Sequence, residues 1–330
     1  MEDYIKAGYI TARRHPSLPL TIYNYTKKAQ FEGYWNETTR KCRGLVLDDD
    51  GEVIVNAPPK FFNRGESYAP KIFLPRAIIT EKLDGYYISV TKSSKYGLIV
   101  TSRGSFTSKY VTAAQKFITP AVQENLLPDI SYFCELLQDF PGDEDTIVMR
   151  HPEPLLVCWA IRTQDGEELS PPALSPFPFA QRIGLSTLKS YLEDEVEGVV
   201  AFDQKKRERV KIKTAWWLER HKMISGFSKR KIWEIMKNGD LVSEKIDLDE
   251  LLPQAMTWER ELNKDFHSLW TKVLSADDQT NQLTDKELGL LNDYQDLKKY
   301  LFLLRKDKIQ ECLQEIWKAI KPKESNDMVE

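Results

Sequence analysis

The chain has 330 residues, of which 41% are hydrophobic and 29% charged. That excludes a mostly disordered or low-complexity chain, and at ~100–200 residues per domain it predicts two domains. With 47 Lys and Arg against 50 Asp and Glu the formal charge is -3, so any polyanion site must be a local cluster and not a global field.

No apolar run approaches the ~20 residues of a membrane span. The acidic start Met-Glu-Asp-Tyr lacks a signal-peptide pattern. Cys42, Cys134, Cys158 and Cys312 form no CxxC pair, and the four histidines are scattered, so neither a disulfide framework nor a zinc site is expected. The expectation is a cytoplasmic protein with reduced core thiols, without a membrane partner.

In chain order, residues 44–47 and 52–56 flank the acidic turn Asp48-Asp49-Asp50-Gly51 and predict a hairpin. Further strands are predicted over 86–91, 98–102, 132–137, 155–161, 198–202 and 210–213, all rich in Val, Ile, Tyr and Phe. A helix is predicted over 111–117. The proline-rich stretch 170–179 predicts an extended surface excursion. After Thr214 the period changes. Leu262, Phe266, Leu269 and Val273 recur at helical spacing, as do Leu290, Tyr294, Leu297, Leu301 and Leu304, then Ile309, Leu313, Ile316 and Ile320. Thr284 with Glu287 predicts a capping box that opens a long helix, which Pro322 stops. The tail 323–330 is expected to fray. The fold class is therefore α+β, with an all-helical C-terminal third.

Several charged residues interrupt apolar strands, which is costly unless they have partners. Glu81-Lys82-Leu83-Asp84-Gly85 comes first. If it is extended, Lys82 and Asp84 share one side, Leu83 points into the core, and Gly85 lets the backbone approach a ligand. Alone, it reads first as a strand-end salt bridge and a turn. Ser102-Arg103-Gly104-Ser105 follows a strand. Glu135 lies inside an apolar strand, Glu197-Gly198 opens another, and Lys211 and Lys213 share a face of Val210-Lys211-Ile212-Lys213.

In this order the motifs resemble those of the covalent nucleotidyltransferases, the ligases and capping enzymes. Lys82-Leu83-Asp84-Gly85 looks like motif I, Glu135 motif III, residues 156–161 motif IIIa, Glu197-Gly198 motif IV and Lys211-Ile212-Lys213 motif V. Lys41-Cys42-Arg43-Gly44-Leu45-Val46-Leu47, Pro59-Lys60-Phe61-Phe62-Asn63, Ser102-Arg103-Gly104-Ser105 and Lys211-Ile212-Lys213-Thr214-Ala215-Trp216-Trp217 are similar to the tRNA-repair RNA ligase 1 family of phages. The resemblance spans about residues 40–220.

It implies an adenylyltransferase domain over 1–220, with a nucleotidyltransferase (ATP-grasp-like) fold of antiparallel sheets and flanking helices. It also implies an all-helical domain over 221–330 that could bind RNA. The implied reaction has three steps. Lys82 attacks ATP to form lysyl-AMP, AMP passes to an RNA 5′-phosphate, and a 3′-hydroxyl displaces it. Lys82, Asp84, Lys211 and Lys213 are the implied catalytic residues. Free lysine is almost wholly protonated at pH 7, so a lowered pKa is expected for Lys82. Arg43, Lys60, Phe62, Glu81, Arg103, Glu135, Trp159 and Glu197, together with Lys82, Lys211 and Lys213, are the implied ATP-binding set. Glu197 is the implied ligand of Mg²⁺ or Mn²⁺. Phe62 could stack on adenine or pack in the core, and Trp159 is equally open. The basic run from Lys205 to Arg209 reads as an RNA-backbone contact or a solvated strand end, and Arg220, Lys222, Lys229, Arg230 and Lys231 as an RNA patch or a plain helix face. The implied partner is RNA with 5′-phosphate and 3′-hydroxyl ends, tRNA among the candidates. Alternatives are a DNA ligase, a capping guanylyltransferase, or a non-catalytic RNA-end-binding protein. The sequence is silent on oligomeric state.

Overall fold

The computed structural model describes residues 1–140, 147–151, 153–169, 174–246 and 251–322. It divides into two compact units, Met1–His221 and Lys222–Glu330. The fold is α+β, with mostly antiparallel sheets followed by helices.

Three four-stranded sheets build the first unit. β1 (Ile10–Arg14), β2 (Leu20–Tyr25), β3 (Arg43–Asp48) and β4 (Val53–Val55) form the first, an antiparallel meander. The β3–β4 turn is the predicted hairpin. Asp48 fastens it by accepting the amides of Asp50 and Glu52. β1 and β2 precede the region that the sequence assigned to strands.

β5 (Phe62–Asn63) and β6 (Ile78–Glu81) begin a second sheet. The chain leaves it to build the third sheet from β7 (Tyr86–Ser93), β8 (Gly97–Ser102), β9 (Ile130–Leu137) and β10 (Leu155–Thr163). It returns with β11 (Gly198–Asp203) and β12 (Glu208–Lys213) to complete the order β5-β12-β11-β6, in which only β5 and β12 run parallel. The link from β6 to β7 is therefore the crossing between two sheets.

Apolar alternation fixes which faces are covered. Ile88, Val90, Cys134, Leu136 and Cys158 pack against the helix Lys109–Gln115. On the opposite face, Tyr87, Phe133 and Ala160 pack against Leu20, Ile22 and Val46 of the first sheet. In the second sheet Val199, Ala201 and Val210 face inward, onto Ile183 and Leu188. This leaves Val200, Phe202, Arg209, Lys211 and Lys213 on the other face, as a two-residue period requires.

The proline-rich stretch departs from its expected place on the surface. Residues 170–173 lie outside the described residues. Beyond them, Phe177 is buried, Cys158 donates its amide to the Pro178 carbonyl, and Ala180 donates to the Cys158 carbonyl. Burial of Phe177 draws this segment along β10.

The second unit is helical, and among the described residues the last strand ends at Lys213. Its longest helix, Leu252–Thr280, carries Leu262 and Val273 into separate cores with Ile232 and Trp233, and with Tyr300, Cys312 and Ile316. The Thr284–Glu287 capping box is present, but it opens only Asp285–Leu290. Leu291 is extended, and Asp307 takes a left-handed φ of 54°. The single helix expected up to Pro322 is thereby broken into Asp285–Leu290, Lys298–Leu304 and Ile309–Ala319. Leu290, placed on the apolar stripe by its spacing, is exposed, and Leu288 is buried instead. The tail 323–330 lies outside the described residues.

Candidate active site

The second and third sheets of the first unit line a cavity of about 470 Å³, a size suited to a small-molecule ligand. Lys82 enters it from the crossing between the sheets. Its amide donates to the Gly198 carbonyl at 2.8 Å, continuing the β6–β11 ladder by one residue. The chain is no longer a strand from Lys82 to Gly85. Leu83 therefore does not point into the core as the extended reading required. It lines the cavity.

Glu197 organises the centre. It is 3% exposed and lies just before β11. Lys82 Nζ donates to its Oε2 at 2.6 Å, and Lys213 Nζ lies 2.9 Å from its Oε1. One buried carboxylate thus bridges two ammonium groups more than a hundred residues apart in sequence. Gly198 permits this closeness, with a φ of 137°. A Cβ there would meet the Ile212 carbonyl oxygen at 2.1 Å, so no side chain fits between Glu197 and β12. Gly85 serves the same end, because its Cβ would stand 2.7 Å from the Leu136 carbonyl oxygen.

Asp84 lines the same cavity, outside the strand that the sequence predicted for it. Its Oδ2 accepts the Val148 amide at 2.7 Å, the Met149 amide at 2.9 Å and the Trp217 indole N–H at 3.0 Å. Burial, with Glu197 nearby, raises its pKa, while those donors and Lys82 oppose the rise. Asp84 ties the site's walls together.

Lys211 also lines the cleft, and burial among Lys60, Lys82, Lys213 and Arg43 pushes its ammonium well below the ordinary lysine range. Burial lowers Lys213 too, against the pull of Glu197. Glu135 is on the same face of β9 as Phe133 and lines the cavity. Burial pushes its carboxyl up to about 8, with Glu197 and Asp84 adding to the rise and Lys82 and Arg43 opposing it. Because the folded pKa exceeds the unfolded one, the fold holds an extra proton between the ordinary carboxylate range and about pH 8. Stability from this group is therefore full at low pH and is lost as pH rises through that window. Between pH 5 and 8 the wild type is expected to lose on the order of 2–4 kcal/mol relative to Glu135→Gln. Urea unfolding of both proteins across that range checks this, and parallel pH curves refute it.

Arg43, Lys60 and Arg103 bring cationic charge to the same cleft. The Arg43 guanidinium lies 4.9 Å from the Tyr87 ring centroid and 5.8 Å from that of Trp159. Arg43 Nη1, Tyr87 OH and Trp159 Nε1 are buried with no hydrogen-bond partner, an unusual concentration of unmet polar groups. Trp159 gains its position from a bulge between Cys158 and Ala160 in β10, which re-aims a side chain. Arg103 Nη1 donates to Tyr25 OH at 3.3 Å. Burial raises the Tyr25 phenol, but Arg103, Lys60 and Arg43 outweigh it and bring its pKa below the usual value. Glu81 reaches the cleft wall, and its Oε1 accepts the Gln181 amide at 2.7 Å.

Phe62 does not join these residues. Strand alternation in β5 buries it against Trp35 and Tyr68, and its neighbour Phe61 lines the cavity instead. Arg209 departs from its reading as part of a solvated basic run. It is buried, paired with Glu168 and laid 3.9 Å over the Phe202 ring, while Lys205 and Lys206 remain exposed.

Tyr25, Glu168 and His221 were not singled out from the sequence, and Phe61 and Trp217 stood in quoted motifs without a role. The β-rich alternation of Leu20-Thr21-Ile22-Tyr23-Asn24-Tyr25 was the available signal for Tyr25. No local pattern marks Glu168. Among the described residues no group of three His, Cys, Asp or Glu could hold a metal. A single carboxylate, Glu197, fits a hard divalent cation that completes its shell with phosphate oxygens and water, but not an all-protein cage.

Fold and cleft together define an α+β protein with a deep cationic ligand site centred on a lysine–glutamate–lysine triad. No protein-family model matches the chain, and no curated protein does. Among solved structures it is similar to an archaeal ATP-dependent RNA ligase, with 15% identity, 78% of this chain and 73% of that one covered, and a TM-score of 0.49. It is also similar to a structure described as an ATP-dependent DNA ligase from Aquifex aeolicus, with 15% identity, 96% and 76% covered, and a TM-score of 0.46. A third is the Naegleria gruberi RNA ligase with PPi, with 15% identity, 44% and 51% covered, and a TM-score of 0.35.

Proposed function

We propose that the protein is an ATP-dependent RNA ligase that joins 3′-hydroxyl and 5′-phosphate ends through a lysyl-AMP at Lys82. The supporting observation is the convergence of Lys82, Glu135, Glu197, Lys211 and Lys213 on one cavity from four separate stretches of chain. The partnerless Arg43, Tyr87 and Trp159 groups also await a polar ligand.

In the first step the Lys82 nitrogen bonds to the α-phosphorus of ATP. The α-phosphorus–oxygen bond to the β-phosphate breaks, pyrophosphate leaves and the amine loses a proton. Glu197 Oε2, already within hydrogen-bond distance, is placed to accept it. Lys211 and Lys213 face the charge that develops on the α-phosphate. Arg43, Lys60 and Arg103 hold the departing phosphates, with Arg suited to paired phosphate contacts. Glu135 receives the ribose. A divalent cation at Glu197, magnesium or manganese, would supply further positive charge against the phosphate. In the second step an oxygen of the RNA 5′-phosphate attacks phosphorus, the phosphorus–nitrogen bond breaks, and Lys82 regains its proton. In the third, the RNA 3′-hydroxyl displaces AMP.

RNA is favoured over DNA by Arg43-Gly44 and the Lys60-Phe61-Phe62-Asn63 run, which resemble the tRNA-repair ligases. The helical second unit also stands where ligases of other kinds carry a β-barrel. On this reading residues 1–220 are the adenylyltransferase, the helices bind RNA, and the role is RNA repair with tRNA a candidate substrate.

The test is incubation with α-labelled ATP and Mg²⁺ or Mn²⁺, then with 5′-phosphorylated RNA. An acid-labile label on the protein and circular RNA are expected. GTP labelling in preference to ATP would favour a capping enzyme, and sealing of nicked duplex DNA alone a DNA ligase. RNA binding without any label would overturn the enzymatic reading.

A further inference from the structure

We propose that Trp217 is a positioning residue for adenylyl transfer, its indole face holding the Lys213 ammonium and its N–H fixing Asp84. This rests on the reading of Lys82 and Lys213 as the transfer machinery.

Trp217 occupies the first turn of the helix Ala215–Ser225, directly after β12, and is buried. Its placement follows from Thr214. The Thr214 amide donates to the Glu197 carbonyl at 3.1 Å, and its hydroxyl donates to the Val196 carbonyl at 2.6 Å. The same hydroxyl accepts the Trp217 amide at 3.1 Å. The backbone that carries Glu197 therefore also fixes the start of the helix that carries the indole.

From there the ring meets three groups. Lys213 Nζ stands 3.2 Å from the ring centroid. Its ammonium also pairs with Glu197 Oε1, so carboxylate and π face together define where it rests. The indole N–H donates to Asp84 Oδ2 at 3.0 Å. His221 stacks on the ring, with centroids 4.4 Å apart and planes 21° from parallel. Burial, with Lys213 adding to it, lowers the His221 pKa. At neutral pH it is a neutral stacking partner and not a cation competing with Lys213.

A flexible lysine stem has many rotamers, and each strays from the phosphate it must meet. An aromatic face below a desolvated ammonium removes that freedom electrostatically, without neutralising the charge the transition state needs. Simple core packing would require only the shape of the indole. The proposal requires its electron density and its N–H.

Site-specific replacement of Trp217 by mono-, di- and trifluorotryptophan separates the two, since fluorine drains the ring face with little change of shape. The rate of AMP transfer to Lys82 is expected to fall stepwise along the series, about ten- to thirtyfold in all. ATP affinity should stay within about twofold. The Lys213 pKa, followed through its ε-carbon NMR shift, should fall along the same series, because the ring favours the charged form. That readout needs no turnover. Benzothienylalanine, which lacks the N–H, should lose about tenfold in rate through Asp84 alone. Trp217→Phe should keep more activity than Trp217→Leu. Equal rates and an unmoved Lys213 pKa across the fluorinated series would overturn the proposal. A wild type that never acquires the adenylate, with the Lys213 pKa still moving, would instead overturn the reading of the reaction and leave a structural cation clamp.

Discussion

Lys82→Ala is expected to lose covalent labelling by ATP entirely, at least about 10⁴-fold, while keeping the fold. The amine would be the only atom that bonds to phosphorus, so nothing in the cavity substitutes for it. Lys211 and Lys213 are also lysines, but Lys213 is held by Glu197 Oε1 and the indole of Trp217, and Lys211 projects from the neighbouring position on the strand face. Stability should survive because Glu197 keeps its contact with Lys213 after Lys82 is removed. Lys82→Arg makes the sharper control. It restores positive charge beside Glu197, yet guanidinium keeps its proton at any accessible pH and cannot act as a nucleophile. ATP binding should then persist without adenylate. The checks are mass spectrometry of the intact protein after incubation with ATP, with equilibrium ATP binding and thermal unfolding alongside. Residual labelling of Lys82→Ala at the wild-type rate would assign the chemistry to another residue.

What the sequence disclosed about this centre, and what it hid, has a physical pattern. The lysines of β12 were legible because alternation forces Lys211 and Lys213 to one face when Val210 is buried and Ile212 half-buried on the other. Glu135 and Glu197 were legible because an acid in an apolar strand is too costly to lack a purpose. The crossing between sheets was not legible, because β6 pairs with β11 and β7 has β9 on one side besides its neighbour β8, and both β11 and β9 lie far along the chain. Hence Lys82 to Gly85 read as a continuous strand, and Leu83 was assigned to the core when it lines the cleft. Phe61 and Phe62 illustrate a one-residue ambiguity. Two adjacent aromatics must face opposite ways, and only the pairing of β5 with β12 decides which is buried. Trp217 was visible in the motif as a letter, but its contacts with Lys213 and Asp84 depend on the Thr214 cap and on the fold around it.

Glu197→Gln should be the most damaging conservative change in the cleft, and its penalty should shrink as pH rises. The carboxylate is 3% exposed and compensates two ammonium groups at 2.6 and 2.9 Å. An isosteric amide keeps the volume and removes the charge. Lys82 and Lys213 are then left buried together, beside a Lys211 that burial and its cationic neighbours already depress. Breaking a buried pair in this way costs about 3–5 kcal/mol. The sign of the pH dependence follows from the lysines. Without Glu197 the Lys213 ammonium, which burial already lowers, loses the partner that opposed that shift, so the fold binds fewer protons than the unfolded chain below pH ~10. Stability of the variant must then increase with pH relative to wild type, as the trapped ammonium groups discharge. Unfolding by urea at pH 7 and pH 9 should show the gap between the two proteins narrowing by at least about 1 kcal/mol. Activity should not return with it, because the discharged variant still lacks the oxygen that takes the Lys82 proton. Glu135→Gln also gains on wild type as pH rises, but from a parent carboxyl that gives up its proton towards about pH 8 and not from trapped lysines, so its gain comes mostly below pH 8 and starts without the penalty of an uncompensated charge. A gap that widens towards pH 9 would mean that Glu197 does not neutralise this cluster, and the account of Lys82 as a restrained nucleophile would fail with it.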